Sequence, residues 1–115
     1  MTRDEKKEYL RQYKIMAEEI SLIRDEIKIM QEQHRHEDVE KLKTEIEQKE
    51  IECAGMCAQI IRQIESMDDR YVIQKRLLLE RYVNCKTWSQ IEHELHYERA
   101  HIHRIHGKAL DNFKS

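Results

Sequence analysis

Seven histidines, five of them between His93 and His106, and three cysteines are the side chains best suited to metal or acid–base chemistry in this 115-residue chain. His93/His96 and His103/His106 are i, i+3 pairs, and Cys85 offers a thiolate. Zinc, however, needs three or four ligands in a fixed framework, and neither a Cys-x-x-Cys nor a His-Glu-x-x-His spacing is present. No metal site and no cofactor are expected. The carboxylates fall in charge-rich stripes, and the chain has no glycine-rich phosphate loop, no Gly-x-Ser-x-Gly elbow and no nucleophile beside an evident base. An enzyme is therefore not expected. What remains is electrostatic chemistry. Arg99, His103, Arg104 and Lys108 share one side of a helical stretch whose other side carries Ile102, Ile105 and Ala109. A packed face opposite a basic face is what a helix in a DNA groove requires. His101, His103 and His106, if they face phosphate, would add positive charge below about pH 6.5.

Such a helix has to be held, and the residues before it supply the means. A helix from Arg70 ends in the dense apolar run Leu77, Leu78, Leu79, Tyr82 and Val83, and Asn84-Cys85-Lys86 makes a short connector. Thr87 with Gln90 three residues on fits a capping box, so Trp88 to Leu95 reads as the next helix, with Ile91 and Leu95 on its buried side. His96-Tyr97 makes the turn, and the reading helix opens near Glu98. In this frame Arg99 lies at the groove entrance, Ala100 touches a thymine methyl, His103 and Arg104 fall one turn further in, and Ser89 of the preceding helix is a further DNA contact. Lys86 and Lys108 are expected on phosphate, which orients a domain without reading sequence. Trp88 is expected in the core, as are Ile102 and Ile105.

Arg81-Tyr82, Thr87-Trp88, Ile91, Leu95, Tyr97 and the run His103-Arg104-Ile105-His106-Gly107-Lys108-Ala109-Leu110 resemble the carboxy-terminal domain of short phage and prophage proteins. That family includes the RinA-like and ArpU-like regulators of late phage genes, and its domain is similar to the promoter-reading region of bacterial sigma factors. The resemblance covers about residues 68 to 113. It implies a sigma-like helix-turn-helix, double-stranded DNA as ligand and RNA polymerase as a further partner. Two positions depart from the general pattern. Glu92 stands where a small residue lets the helices approach and is expected to bend toward solvent. His96 replaces the turn glycine and is expected in the left-handed region, which histidine enters more readily than most residues.

The chain has no proline and two glycines, and 38% of its residues are charged. Nothing punctuates strands or long loops, so an all-α protein is expected. Residues 1 to 69 hold 12 Lys and Arg against 18 Asp and Glu, whereas residues 70 to 115 hold 9 against 5. The basic half thus coincides with the DNA reader. An odd number of cysteines, no signal-peptide core and no apolar stretch of ~18 residues point to a reducing bacterial cytoplasm and no membrane contact. Cys53 and Cys57 read as small core residues.

Tyr9, Tyr13, Met16, Ile20, Ile23, Ile27 and Met30 repeat at spacings of four and three, a coiled-coil seam. Val39, Leu42, Ile46, Cys53, Met56, Ile60 and Met67 form a second seam, interrupted by Lys49 and Gln63. Their phases differ by five residues, which no three- or four-residue skip repairs. A turn is therefore expected within Gln33 to Asp38. The expected fold is all-α, with an N-terminal antiparallel coiled-coil hairpin over 1–67 and a helix-turn-helix domain over 68–115. Ile15, Leu22 and Ile29 form an extra apolar row that one partner helix cannot cover, so a homodimer is expected. The expected function is a phage or prophage sequence-specific DNA-binding transcriptional regulator. A small-terminase-type DNA-packaging protein and a coiled-coil interaction module are the alternatives.

Overall fold

The computed structural model describes residues 1–114, so only the last residue of the 68–115 segment lies outside it. Every element among the described residues is helical. Helix α1 (Arg3–Glu32) is opened by a capping box: Glu5 N donates to Thr2 Oγ1 and Thr2 N to Glu5 Oε1, each at 3.1 Å. It is closed by His34, whose φ of 56° lets His34 N and Arg35 N return to the carbonyls of Gln31 and Met30. That double closure is a Schellman motif, and it reverses the chain within the segment where the two phases disagree. Helix α2 (His36–Glu65) follows, with Arg35 and Asp38 paired at its start.

The two helices pack as an antiparallel hairpin through Ile20, Ile23, Ile46 and Cys53, with Met16, Ile27 and Leu42 around them. Cys53 is buried with a free thiol and behaves as the expected small apolar residue. The polar interruptions of the second seam have partners. Lys49 reaches Glu19 at 3.5 Å, and Gln63 accepts a 2.5 Å hydrogen bond from the Tyr9 hydroxyl. The extra row stays outside: Ile15, Leu22 and Ile29 are 47%, 63% and 54% exposed. Gly55 lies in the middle of α2 with open space where a Cβ would stand. Gly55→Ala is therefore expected to raise stability by about 1 kcal/mol through helix propensity, read as a higher urea midpoint at unchanged slope.

After α2, Asp68 accepts from Arg70 N and caps a 3₁₀ turn (Asp69–Tyr71). Helix α3 (Val72–Leu78) then continues as a π-helical turn (Leu79–Val83), closed by Asn84 N on Leu79 O at 2.9 Å. The helix expected from Arg70 is present, but both of its ends depart from α geometry. Helices α4 (Trp88–Leu95) and α5 (Arg99–Asn112) complete the chain.

Adjacent residues of α3 serve two cores. Leu77 packs with Ile91, Leu95 and Ile102, while Leu78 packs with Leu10, Ile60, Ile64, Leu110 and Phe113. The second of these cores draws on both sides of the boundary expected at 67/68. The N-terminal third of α1 is thus seated on α5. Lys6 Nζ donates to Leu110 O at 2.7 Å, supplying the cation that the last turn of α5 lacks. Arg3 pairs with Asp111 at 2.6 Å.

Candidate nucleic-acid interface

Helix α4 begins at the capping box read from sequence. Gln90 N donates to Thr87 Oγ1 at 3.2 Å and Thr87 N to Gln90 Oε1 at 2.8 Å. It ends at His96, which adopts φ 59° and ψ 36°, the left-handed conformation expected of it. Tyr97 then stacks on His101, with ring centroids 4.5 Å apart. Helix α5 buries Ile102, His106, Ala109 and Leu110, and Ile105 is half-buried. On the opposite side Ala100, Arg104 and Lys108 follow one another at four-residue spacing, all exposed. Among the described residues, Arg104 and Lys108 make no ion pair or hydrogen bond, so their charges face solvent uncompensated.

The other expected contact residues are already engaged. Arg99 Nη2 donates to Ser89 Oγ at 2.9 Å and to Glu92 Oε2 at 2.7 Å, which brings Ser89 and Arg99 together across α4 and α5. Glu92 does not bend toward solvent. It turns onto Arg99 across the α4–α5 turn, where its side chain is only 24% exposed and a charge-assisted hydrogen bond replaces the water it gives up. The bond also raises the Arg99 pKa. Lys86 sits between Glu80 and Glu94, donating to both Glu94 oxygens at 2.8 and 2.9 Å. Those carboxylates raise the lysine pKa, and the bond from Lys86 in turn lowers that of Glu80. His103 is exposed, with its ring 5.2 Å from that of Trp88. Trp88 packs on the α3–α4–α5 core, and the Arg81 guanidinium lies 4.3 Å from its ring centre.

His106 departs from expectation. It does not face phosphate: it is 7% exposed, and its Nε2 lies 2.7 Å from the Tyr82 hydroxyl. Its ring stacks on Tyr82 and meets Trp88 edge-on at 4.8 Å. Burial, first, and then the surrounding Lys7, Arg81, His103 and Arg11 push its pKa down to about 4. His106 and His103 therefore sit in different environments, one inside and one outside. The rings of His93 and His96 are 6.5 Å apart on the surface.

Helix α1 brings further cations close to α5. Arg3, Lys7, Arg11 and Lys14 recur at spacings of four, four and three, a basic stripe legible in the sequence but masked by the acidic total of the first 69 residues. The structure sets the start of that stripe against α5. A Cβ at Gly107 would stand 2.9 Å from Arg3 Nη1, so the glycine gives the guanidinium room to reach Asp111. No protein family, curated protein or solved structure matches this chain. No helix among the described residues is long and apolar enough to cross a membrane.

Proposed function

We propose that the chain is a phage or prophage regulator of transcription that binds double-stranded DNA through a sigma-like helix-turn-helix made by α4 and α5. The observation that carries this reading is the division of α5, which buries Ile102, Ala109 and Leu110 and presents Arg104 and Lys108 without partners on its far side. The capped α4, the two-residue turn at His96-Tyr97 and the resemblance of residues 68 to 113 to the RinA-like and ArpU-like regulators support the same reading. It places the protein in the bacterial cytoplasm, with RNA polymerase as a further partner. Within the interface Arg104 and Ala100 read bases, Lys108 holds phosphate, and Arg99 reaches DNA only by exchanging Glu92 for it. The exposed row of Ile15, Leu22 and Ile29 supports a homodimer, a two-fold arrangement that spaces paired readers by about one turn of DNA, ~34 Å.

A fluorescence anisotropy titration with duplexes from a phage late-promoter region tests the proposal. Arg104→Ala is expected to cost roughly 1 to 3 kcal/mol on the preferred sequence and to relax the preference, and Lys108→Ala to weaken all duplexes alike. Binding that does not depend on salt would overturn the reading, since phosphate contacts release counterions. Sedimentation separates the assemblies: a dimer agrees with a regulator, and a ring of eight or more with DNA packaging. Leu22→Asp is the informative variant, because Leu22 is exposed whereas Ile20 on the same helix is spent on the hairpin's own core.

A further inference from the structure

We propose that the cleft between α1 and the π-helical turn is a phosphate-binding site formed by Arg11, Lys14 and Arg81. The cleft has a volume of about 220 Å³ and is lined by these three cations with Glu18 as the single carboxylate. That is several times the ~30 Å³ of one water, room for a tetrahedral oxyanion that keeps part of its hydration. Arg81 is already positioned: its guanidinium lies 4.3 Å from the Trp88 ring centre and its Nη1 donates to Lys86 O at 3.0 Å. Its remaining N–H groups are free to donate, and a guanidinium presents them in a geometry that suits phosphate. Arg11 and Lys14 are held only by exposed same-helix pairs, to Glu8 at 3.2 Å and Glu18 at 3.9 Å. Such pairs are worth little in water, so both side chains can turn to an incoming anion.

Cys85 also lines the cleft, its φ of 55° closing the π-helical turn through Lys86 N on Glu80 O at 3.0 Å. Along α1 the stripe continues through Lys7 to Arg3, which touches α5 at Gly107 and Asp111. The duplex arm of the inference rests on the DNA reading above: a backbone phosphate in the cleft lies on the same line of cations as α5. A free phosphate is the other source of the same chemistry.

The full-length Arg11→Gln/Lys14→Gln variant decides between these, since both side chains are exposed and an unchanged melting curve checks the fold. On a late-promoter duplex it is expected to bind about tenfold more weakly at moderate salt and to lose about 1.8 from the log–log salt slope, ~0.9 for each of two phosphates. In parallel, inorganic phosphate is titrated into the wild type while the Arg side-chain NMR signals are followed, with chloride as control. Saturable shifts in the wild type that vanish in the variant, with duplex affinity unchanged, would assign the site to free phosphate. Wild-type duplex affinity in the variant together with no saturable phosphate shift would overturn it. If the wild type binds no duplex, the DNA reading fails while the phosphate titration still decides the cleft.

Discussion

Leu78→Asp is expected to unfold the entire chain, the N-terminal hairpin included. Leu78 is fully buried at the meeting point of α1, α2, α3 and α5, beside Leu10, Ile60, Ile64, Leu110 and Phe113. Removing it forfeits ~1.5 to 3 kcal/mol of burial, and a carboxylate in its place has no partner among these side chains, adding a desolvation cost of several kcal/mol. Together these consume most of the ~5 to 15 kcal/mol that a small domain has. The milder Leu78→Ala should cost about 2 to 5 kcal/mol and lower the melting temperature by on the order of 10 to 25 °C. The informative readout is where the loss falls. With a core shared across residue 67, signals from Ile20 and Ile46 in the hairpin must melt together with those of Ile91 and Ile102. Two separated transitions, with the hairpin surviving the first, would show instead that 1–67 and 68–115 fold as independent domains.

What was legible in the sequence was local. The capping box at Thr87, the left-handed His96, the reversal near Gln33 and the helical phases of α1 and α2 each follow from residues within one or two turns of each other. What was not legible depended on contacts across the chain. Nothing near Leu10 announces that its neighbours will be Leu110 and Phe113, because heptad spacing marks a residue for burial without naming the surface that buries it. Glu92 illustrates the same limit: its destination was decided by Arg99 seven residues away across a turn. His106 is different, since a signal was there. It stands four residues after Ile102 and three before Ala109, inside the apolar stripe of α5, and periodicity outweighs the general tendency of histidine to sit near the surface. The π-helical turn at Leu79–Val83 had no sequence marker, and it brings Arg81 over Trp88 while leaving Tyr82 pointed inward.

The burial of His106 makes the fold acid-sensitive. With a folded pKa of about 4 against 6.5 for the free side chain, the unfolded chain takes up this proton first as the pH falls. Stability from the neutral imidazole is thus fully present above about pH 6.5, declines as the pH falls from there to about 4, and levels off below. At ~1.4 kcal/mol for each pH unit the total is on the order of 3 kcal/mol. Every neighbour that bears on the ring reinforces the sign. Lys7 and Arg11 on α1, Arg81 beside Tyr82, and His103 on α5 are all cationic groups or can become so, and Tyr82 is itself held in its neutral form by burial. The carboxylates whose pKa is lowered, Glu80 beside Lys86, Asp111 beside Arg3 and Glu5 at the Thr2 cap, start to lose their contributions as the pH falls through the ordinary carboxylate range at about 4 to 4.5, so the decline between pH 6.5 and 4.5 belongs mainly to His106. Urea unfolding at half-unit pH steps should show this slope in the wild type. In His106→Gln, whose amide still reaches the Tyr82 hydroxyl but does not titrate, the curve should be flatter over the same range and start lower at pH 7, by the packing lost with the ring. A wild-type profile that is flat from pH 7 to 4.5, or a slope retained in His106→Gln, would place the acid sensitivity elsewhere and the imidazole in contact with solvent.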